Sequence, residues 1–154
     1  MRLVVAVVGK PRNTALAAAI QDYEQRASRY WPLEVHEVRG EPAKSASADL
    51  VRAKEGERLV KALPASAHWV ACEAGGSCKT SEEFSAWLQG RREDACDLAL
   101  VIGGAFGLAE AVRARARMRL SLAPWTLSHE LARLVLAEQL YRAGTIVRRE
   151  PYHK

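Results

Sequence analysis

Three glycines follow a run of five apolar residues in the second half of the chain. The run is Leu98–Ile102, and Gly103, Gly104 and Gly107 come after it. Glycine has no Cβ, so it leaves backbone amides and carbonyls open at the carboxyl end of a strand, where open α/β sheets bind ligands. Because a tight turn between a strand and a helix has the same composition, the pattern allows both a ligand-binding loop and a turn without a ligand.

Other enzyme motifs are incomplete in this sequence. A dinucleotide-binding fold requires G-x-G-x-x-G after its first strand and an acid about twenty residues later, but here G-G-x-x-G follows a later strand and no acid lies near Trp125. Gly9–Pro11 does not supply a phosphate-binding loop. There is no G-x-S-x-G, and the nearness of Ser128 to His129 in sequence does not establish a triad. Nicotinamide chemistry, nucleotide hydrolysis and acyl hydrolysis are therefore disfavoured.

The cysteines and histidines show no metal-binding spacing. The three cysteines lack C-x-x-C, and the four histidines lack H-E-x-x-H. We therefore expect neither a disulfide framework nor a bound metal. Cys72, at the end of a predicted strand, is interpreted as a small buried hydrophobic residue rather than a nucleophile.

The net charge of +5 is unevenly distributed along the chain. Residues 1–112 carry 14 Lys and Arg against 15 Asp and Glu, whereas residues 113–154 carry nine against three. A basic region suits phosphate backbones, whose condensed counterions are released on binding, so the block favours a nucleic-acid partner. The apolar run Leu3–Val8 is too short for a signal peptide or a membrane span, so we expect a cytoplasmic protein without a membrane partner.

The order of strands and helices predicts a single α/β domain over residues 1–154, with a mostly parallel sheet flanked by helices. Apolar or alternating runs predict strands at Arg2–Val8, Leu33–Val38, His68–Glu73, Leu98–Ile102 and Arg119–Ala123. The third strand is expected to end at Gly75-Gly76, and a polar loop is expected from Gly40 to Ser47.

Capping residues and periodicity predict five helices. They begin near Asn13, Ser47 or Asp49, Thr80, Ala109 and Ser128. The second contains Gly56, for which we expect a close packing contact, because glycine costs a helix about 1 kcal/mol relative to alanine. The third is expected to end at Gly90. The last, His129–Ala143, is apolar over so wide an arc that it predicts a subunit interface.

Several short segments, taken in order, resemble the RlmH family of the SPOUT superfamily of RNA methyltransferases. They are Lys54–Glu57, Ser81–Phe84, Ile102–Gly104 with Gly107, Thr126–Leu127 with His129, Glu138–Ala143 and Pro151–Lys154. Each segment is short, but together they extend the resemblance from Met1 to Lys154.

This resemblance implies an α/β fold whose C-terminal part threads through a loop to form a trefoil knot, and a homodimer with active sites near the subunit interface. It also implies that S-adenosylmethionine donates a methyl group to N3 of a pseudouridine in 23S rRNA, on assembled ribosomes. An RNA-binding protein of this fold without catalysis, and a methyltransferase for another RNA, remain alternatives.

With that resemblance, three segments are expected to hold the methyl donor: the end of the third strand, the glycine turn and the apolar loop near Trp125. The glycines would let backbone approach the donor, and the loop would enclose adenine and offer main-chain hydrogen bonds. The expected cofactor-binding residues are Cys72, Gly103, Gly104, Leu122, Ala123, Pro124, Trp125, Thr126 and Leu127. A ligand there would cover a loop that is unusually apolar.

Arg142, Tyr152 and His153 are the expected catalytic residues, on the RNA side of the site. Methyl transfer is an in-line displacement at a sulfonium, which needs alignment and a nitrogen that loses its proton. Arg142 would stabilise an anion or a phosphate, Tyr152 would stack or form a hydrogen bond, and His153 would accept the proton. Without the resemblance, Arg142 is interpreted as a cation near a helix C-terminus and the other two as a frayed chain end.

Overall fold

The computed structural model describes residues 1–42 and 47–153, with only the backbone of His153. Positions 43–46 of the expected polar loop, the side chain of His153 and Lys154 lie outside the described residues. Strands and helices alternate along the described chain, as the sequence predicts.

Five strands form one sheet in the order β2-β1-β4-β3-β5, and every neighbouring pair is parallel. The strands are β1 (Leu3–Val8), β2 (Leu33–Val38), β3 (His68–Cys78), β4 (Leu98–Ile102) and β5 (Met118–Ser121). The helices are α1 (Thr14–Ala27), α2 (Ala48–Ala62), α3 (Ser81–Glu93), α4 (Glu110–Arg115) and α5 (His129–Val147), followed by a short 3₁₀ helix at Pro151–His153. The predicted α/β class and parallel sheet are confirmed.

The sheet has a hydrophobic core on each face, because successive side chains of a strand point to opposite sides. On one face the odd-numbered β1 residues pack with side chains of α1, α3 and α5, such as Ala27, Leu88 and Leu140. On the other, the even-numbered β1 residues pack with Leu59 of α2 and Val112 of α4. The central strands β1 and β4 are buried along their whole length, which explains their uninterrupted apolar sequences.

Two of the predicted ends at glycines are wrong. β3 continues through Gly75-Gly76 to Cys78, and its register against β5 shifts between Cys72 and Ser77. A Cβ on Gly76 would lie 2.6 Å from the carbonyl carbon of Leu120, so glycine here lets two strands pass closely instead of ending one. Helix α3 likewise passes Gly90, where a Cβ would meet no atom within 4 Å.

The predicted caps and the contact at Gly56 are confirmed. The side chains of Asn13, Ser47 and Ser128 each accept a backbone N–H of the following helix, and Thr80 forms a complete capping box. A Cβ on Gly56 would lie 2.6 Å from the Ala109 Cβ. The glycine therefore lets α2 approach the start of α4.

Candidate functional site

Three loops meet at the carboxyl edge of the sheet, because β4, β3 and β5 are adjacent and parallel. They follow Ile102 in β4, continue from Cys72 in β3, and follow Ser121 in β5. Between them lies a cavity of about 480 Å³, which we call the edge cavity. Its volume falls within the roughly 300–1,000 Å³ typical of small-molecule sites, and its place at the carboxyl ends of the strands is the usual one for α/β folds.

The structure brings eight of the nine expected cofactor-binding residues to this cavity. They are Cys72, Gly103, Gly104, Leu122, Ala123, Trp125, Thr126 and Leu127. Pro124 lies in the same loop but does not line the cavity. Residues 72 and 125 are far apart in sequence and meet only because their strands are neighbours. That these residues hold a ligand stays a prediction.

The glycine turn is closed by its own backbone. The Gly107 amide donates to the Gly104 carbonyl over 3.0 Å, and Gly107 has a φ of +80°, a conformation that side-chain-bearing residues rarely adopt. A Cβ on Gly103 would lie 2.6 Å from the Gly107 carbonyl carbon. Gly103 and Gly107 are thus required by the shape of the turn, which presents main chain to the edge cavity.

The rim of the edge cavity is apolar and exposed. Trp125 is 76% exposed and Phe106 is 40% exposed, and both line the cavity. Large apolar side chains at this exposure commonly mark a surface that contacts a ligand or a partner. The single chain leaves the apolar loop uncovered.

Cys72 lines the edge cavity and is buried. Burial raises the pKa of its thiol to about 12, so the sulfur stays protonated near neutral pH. The interpretation of Cys72 as a buried hydrophobic residue agrees with this environment.

An ionic cluster at the edge cavity was not predicted from the sequence. Glu73 accepts from Arg113 Nε over 2.7 Å and also from Arg119, and all three residues line the cavity. Arg113 also lies 3.8 Å from the exposed carboxylate of Glu110, so the two guanidinium groups of the cluster lie beside two carboxylates. Glu73 directly follows the buried apolar part of β3, and this position in the sequence is the signal that could have identified the cluster.

Two of the three expected catalytic residues, Arg142 and Tyr152, lie away from the edge cavity of their own chain. Neither Arg142 nor Tyr152 lines it, whereas Ala132 of the same helix does. Ten residues separate Ala132 from Arg142, about 15 Å along an α-helix. In the single chain Arg142 and Tyr152 therefore do not reach the cavity.

Arg142 and Tyr152 contact each other through Glu138. Arg142 Nη2 donates to Glu138 Oε1 over 2.7 Å, the Tyr152 hydroxyl donates to the same oxygen over 3.2 Å, and the guanidinium lies 4.9 Å from the Tyr152 ring centre. The hydrogen bond that Arg142 donates to Glu138 raises the pKa of Arg142, and burial together with the hydrogen bond to Tyr23 raises the pKa of Tyr152. At neutral pH this cluster contains an ion pair between Arg142 and Glu138 and a neutral phenol.

The described residues contain no group of three metal-ligating side chains and no helix long and apolar enough to cross a membrane.

Comparison with solved structures shows proteins with a similar fold. A methylase-family protein from Haemophilus influenzae superposes with a TM-score of 0.55 at 15% identity, over 99% of this chain and 70% of that one. A second crystal structure, of a protein without an assigned function, gives 0.50 at 16% identity, over 95% and 81%. At these identities the likeness concerns the fold alone, an α/β fold that a methylase-family protein also has.

Sequence comparison then gives the family. The family model described as Predicted SPOUT methyltransferase matches residues 1–153. A protein of Gemmatimonas aurantiaca named Ribosomal RNA large subunit methyltransferase H is 61% identical over the whole of both chains. A protein of the same name from Geobacter sulfurreducens is 42% identical over 99% of each. The chain therefore belongs to the SPOUT methyltransferase family.

Proposed function

We propose that the chain transfers a methyl group from S-adenosylmethionine to large-subunit ribosomal RNA, at N3 of a pseudouridine in 23S rRNA on the assembled ribosome. The observation that supports this most is the edge cavity, because eight residues predicted to bind the methyl donor line it. The chain is also 61% identical to a protein named for this class of reaction. Ribosomes are the substrate, so the reaction would take place in the cytoplasm.

The residues at the edge cavity fit the methyl donor. Gly103 and Gly104 present backbone where a Cβ would collide with neighbouring atoms, and Leu122 and Leu127 provide apolar walls for an adenine ring. When bound, the sulfonium supplies an electrophilic methyl group. The chain's own contribution would be to hold the donor through shape and main-chain hydrogen bonds and to exclude water from the methyl group.

A homodimer would supply the residues that the single chain keeps away from its cavity. Arg142 lies about three turns along α5 from Ala132, and Tyr152 lies in the 3₁₀ helix after α5, so both would serve the edge cavity of the other subunit. Exposed Trp125 and Leu131, the latter 40% exposed on α5, offer apolar surface for such an interface. These exposures support the predicted role of α5 in dimerisation.

In such a dimer, Arg142, Tyr152 and His153 would act on the acceptor nucleotide. The imide N3 is a weak acid, so Arg142 would stabilise the anion that forms as its proton leaves. Tyr152, neutral at physiological pH, would donate a hydrogen bond or stack on the base. His153 would accept the proton.

Two measurements test the proposal. Calorimetry with S-adenosylmethionine should show binding to the purified protein, and its absence would leave only an RNA-binding role. Mass spectrometry of rRNA from a strain lacking the protein should show loss of one methyl group from a pseudouridine of the large subunit. If that nucleotide is unchanged while the donor still binds, the protein methylates another RNA.

A further inference from the structure

A second cavity lies on the other side of the glycine turn. It encloses about 560 Å³ and shares four residues with the edge cavity: Gly104, Ala105, Phe106 and His129. We call it the Glu55 cavity, since Glu55 of α2 forms part of its wall. The two cavities therefore adjoin at the turn and at the first residue of α5.

Glu55 is buried in this wall with half of its carboxylate unused. The residue is 5% exposed, and its Oε1 accepts the backbone N–H of Glu41 over 3.0 Å. Among the described residues its Oε2 has no hydrogen-bond partner. The cations nearest in sequence, Lys54 and Arg58, pair with Glu41 instead.

The free oxygen is directed at the glycine turn. A Cβ on Gly104 would lie 2.6 Å from Glu55 Oε2, so this oxygen lies against the backbone that separates the two cavities. A buried carboxylate oxygen without a partner is costly, and in native structures such groups usually receive a donor from a ligand or water. The wall of the Glu55 cavity thus contains a buried hydrogen-bond acceptor, unpaired among the described residues, beside the predicted position of the methyl donor.

We infer that the Glu55 cavity receives the acceptor base and that Glu55 Oε2 accepts the N1–H of pseudouridine. This inference rests on the proposed function, which it deepens. Pseudouridine is joined to its ribose through C5, so its ring carries a free N1–H where uridine presents a C–H. A buried acceptor at that point is satisfied by pseudouridine and left unpaired by uridine, which is the type of contact that gives strong discrimination.

Other residues of the Glu55 cavity suit a nucleotide. Lys10 and Arg12 are exposed at its wall and provide positive charge for the RNA backbone. Phe106, also partly exposed, offers an aromatic face for an unstacked base. The cavity therefore combines one buried acceptor, an aromatic ring and external cations.

The test compares two kinds of ribosome, carrying pseudouridine or uridine at the acceptor nucleotide, with wild-type protein and Glu55→Gln. Wild-type protein should methylate the pseudouridine ribosomes at least about tenfold more efficiently in kcat/KM. The glutamine can still accept from the Glu41 amide, but its NH₂ group would face the N1–H. We expect the pseudouridine rate to fall about tenfold to a hundredfold, with a much smaller change on uridine.

A matched control separates recognition from folding. Glu57→Gln changes an exposed carboxylate two residues along the same helix and should leave both rates unchanged. Calorimetry should give the same affinity for S-adenosylmethionine for Glu55→Gln, Glu57→Gln and wild type. If Glu55→Gln does not fold, Glu55→Asp is the second variant. Aspartate keeps the charge, but its shorter side chain places the acceptor oxygen farther from the base. The ratio of kcat/KM on pseudouridine ribosomes to that on uridine ribosomes should then decrease.

Several outcomes would overturn the inference while leaving the proposed function intact. One is a wild-type protein that methylates both ribosomes equally well. Another is a Glu55→Gln or Glu55→Asp variant that retains the wild-type preference, or a variant that loses both rates in equal proportion. A wild-type protein that methylates neither ribosome would instead refute the proposed function.

Discussion

At the scale of single residues, carboxylates already neutralise part of the basic C-terminal region. Four arginines of residues 113–154 are ion-paired: Arg113, Arg119, Arg133 and Arg142. The partners of Arg133, Glu24 and Glu37, come from the acidic first part of the chain. Because folding places these opposite charges together, fewer cations remain for RNA than the sequence count indicates.

Tyr152→Ala should lower turnover with little effect on donor binding. The change removes the hydroxyl that donates to Glu138 and the aromatic ring that contacts Arg142. Glu138 and Arg142 would each lose a contact that positions them on the proposed acceptor side of the site. We expect kcat on ribosomes to fall about tenfold or more, while calorimetry gives a donor affinity within about twofold of wild type. A comparable loss of donor affinity would show that the tail lies on the cofactor side.

Tyr30 gives the protein a specific sensitivity to alkali. Its hydroxyl donates to Glu150, and this bond, with burial, raises the Tyr30 pKa from 10.0 to about 12. A pKa raised by folding contributes stability that is complete below pH 10 and is lost as pH rises through about 12. The melting temperature of wild type should therefore fall more between pH 10 and 12 than that of Tyr30→Phe. Parallel curves would contradict this role.

At the scale of elements, α5 organises one face of the sheet. It packs against α1 and α3, and Leu136, Leu140 and Ala143 belong to the core there. Its continuation past Ala143 to Val147 depends on Gly144, where a Cβ would lie 2.3 Å from Tyr30 Cγ. This glycine allows the close contact between α5 and the segment after α1.

Gly144→Ala should therefore destabilise the protein, although alanine favours helices. The added methyl collides with the Tyr30 ring, and we expect a loss of about 1–3 kcal/mol in the free energy of unfolding, measured by urea titration. Gly90→Ala in α3 is the matched control, because a Cβ there meets no atom within 4 Å. That variant should gain up to about 1 kcal/mol. A stabilised Gly144→Ala would contradict the packing argument.

At the scale of the whole molecule, the proposed active site needs two chains. The edge cavity lies at the carboxyl edge of the sheet, whereas Arg142 lies in the last part of α5 and Tyr152 in the 3₁₀ helix that follows it. The threading of the C-terminal part into a knot, which the resemblance implies, stays a prediction.

Complementation between two inactive variants tests the shared site. Ala123→Trp should fill the edge cavity, and Arg142→Ala should remove the proposed anion-stabilising group. After unfolding and refolding together, random pairing of subunits would restore about a quarter of the sites, since each mixed dimer has one intact site. Ultracentrifugation should show a dimer throughout. No recovered activity from such dimers would mean that each chain works alone.

The alternation of strands and helices and the helix caps could be predicted from the sequence alone. A helix cap forms its hydrogen bond within a few residues of its own position, so it can be predicted from local sequence. The caps of this kind are Asn13, Ser47, Thr80 and Ser128. The glycine turn could also be predicted, because three glycines directly after a buried strand indicate a tight turn.

Which residues lie close together depends on the tertiary structure. The order of β4, β3 and β5 brings Cys72, Gly104 and Trp125 around one cavity, and the same packing separates Arg142 from it. In the sequence, Glu55 is one of several charged residues of a predicted helix. In the structure it is buried, and its Oε2 lies against Gly104 without a hydrogen-bond partner among the described residues. Periodicity along one element shows which face is buried, but the neighbours across that face are set by the packing of distant segments.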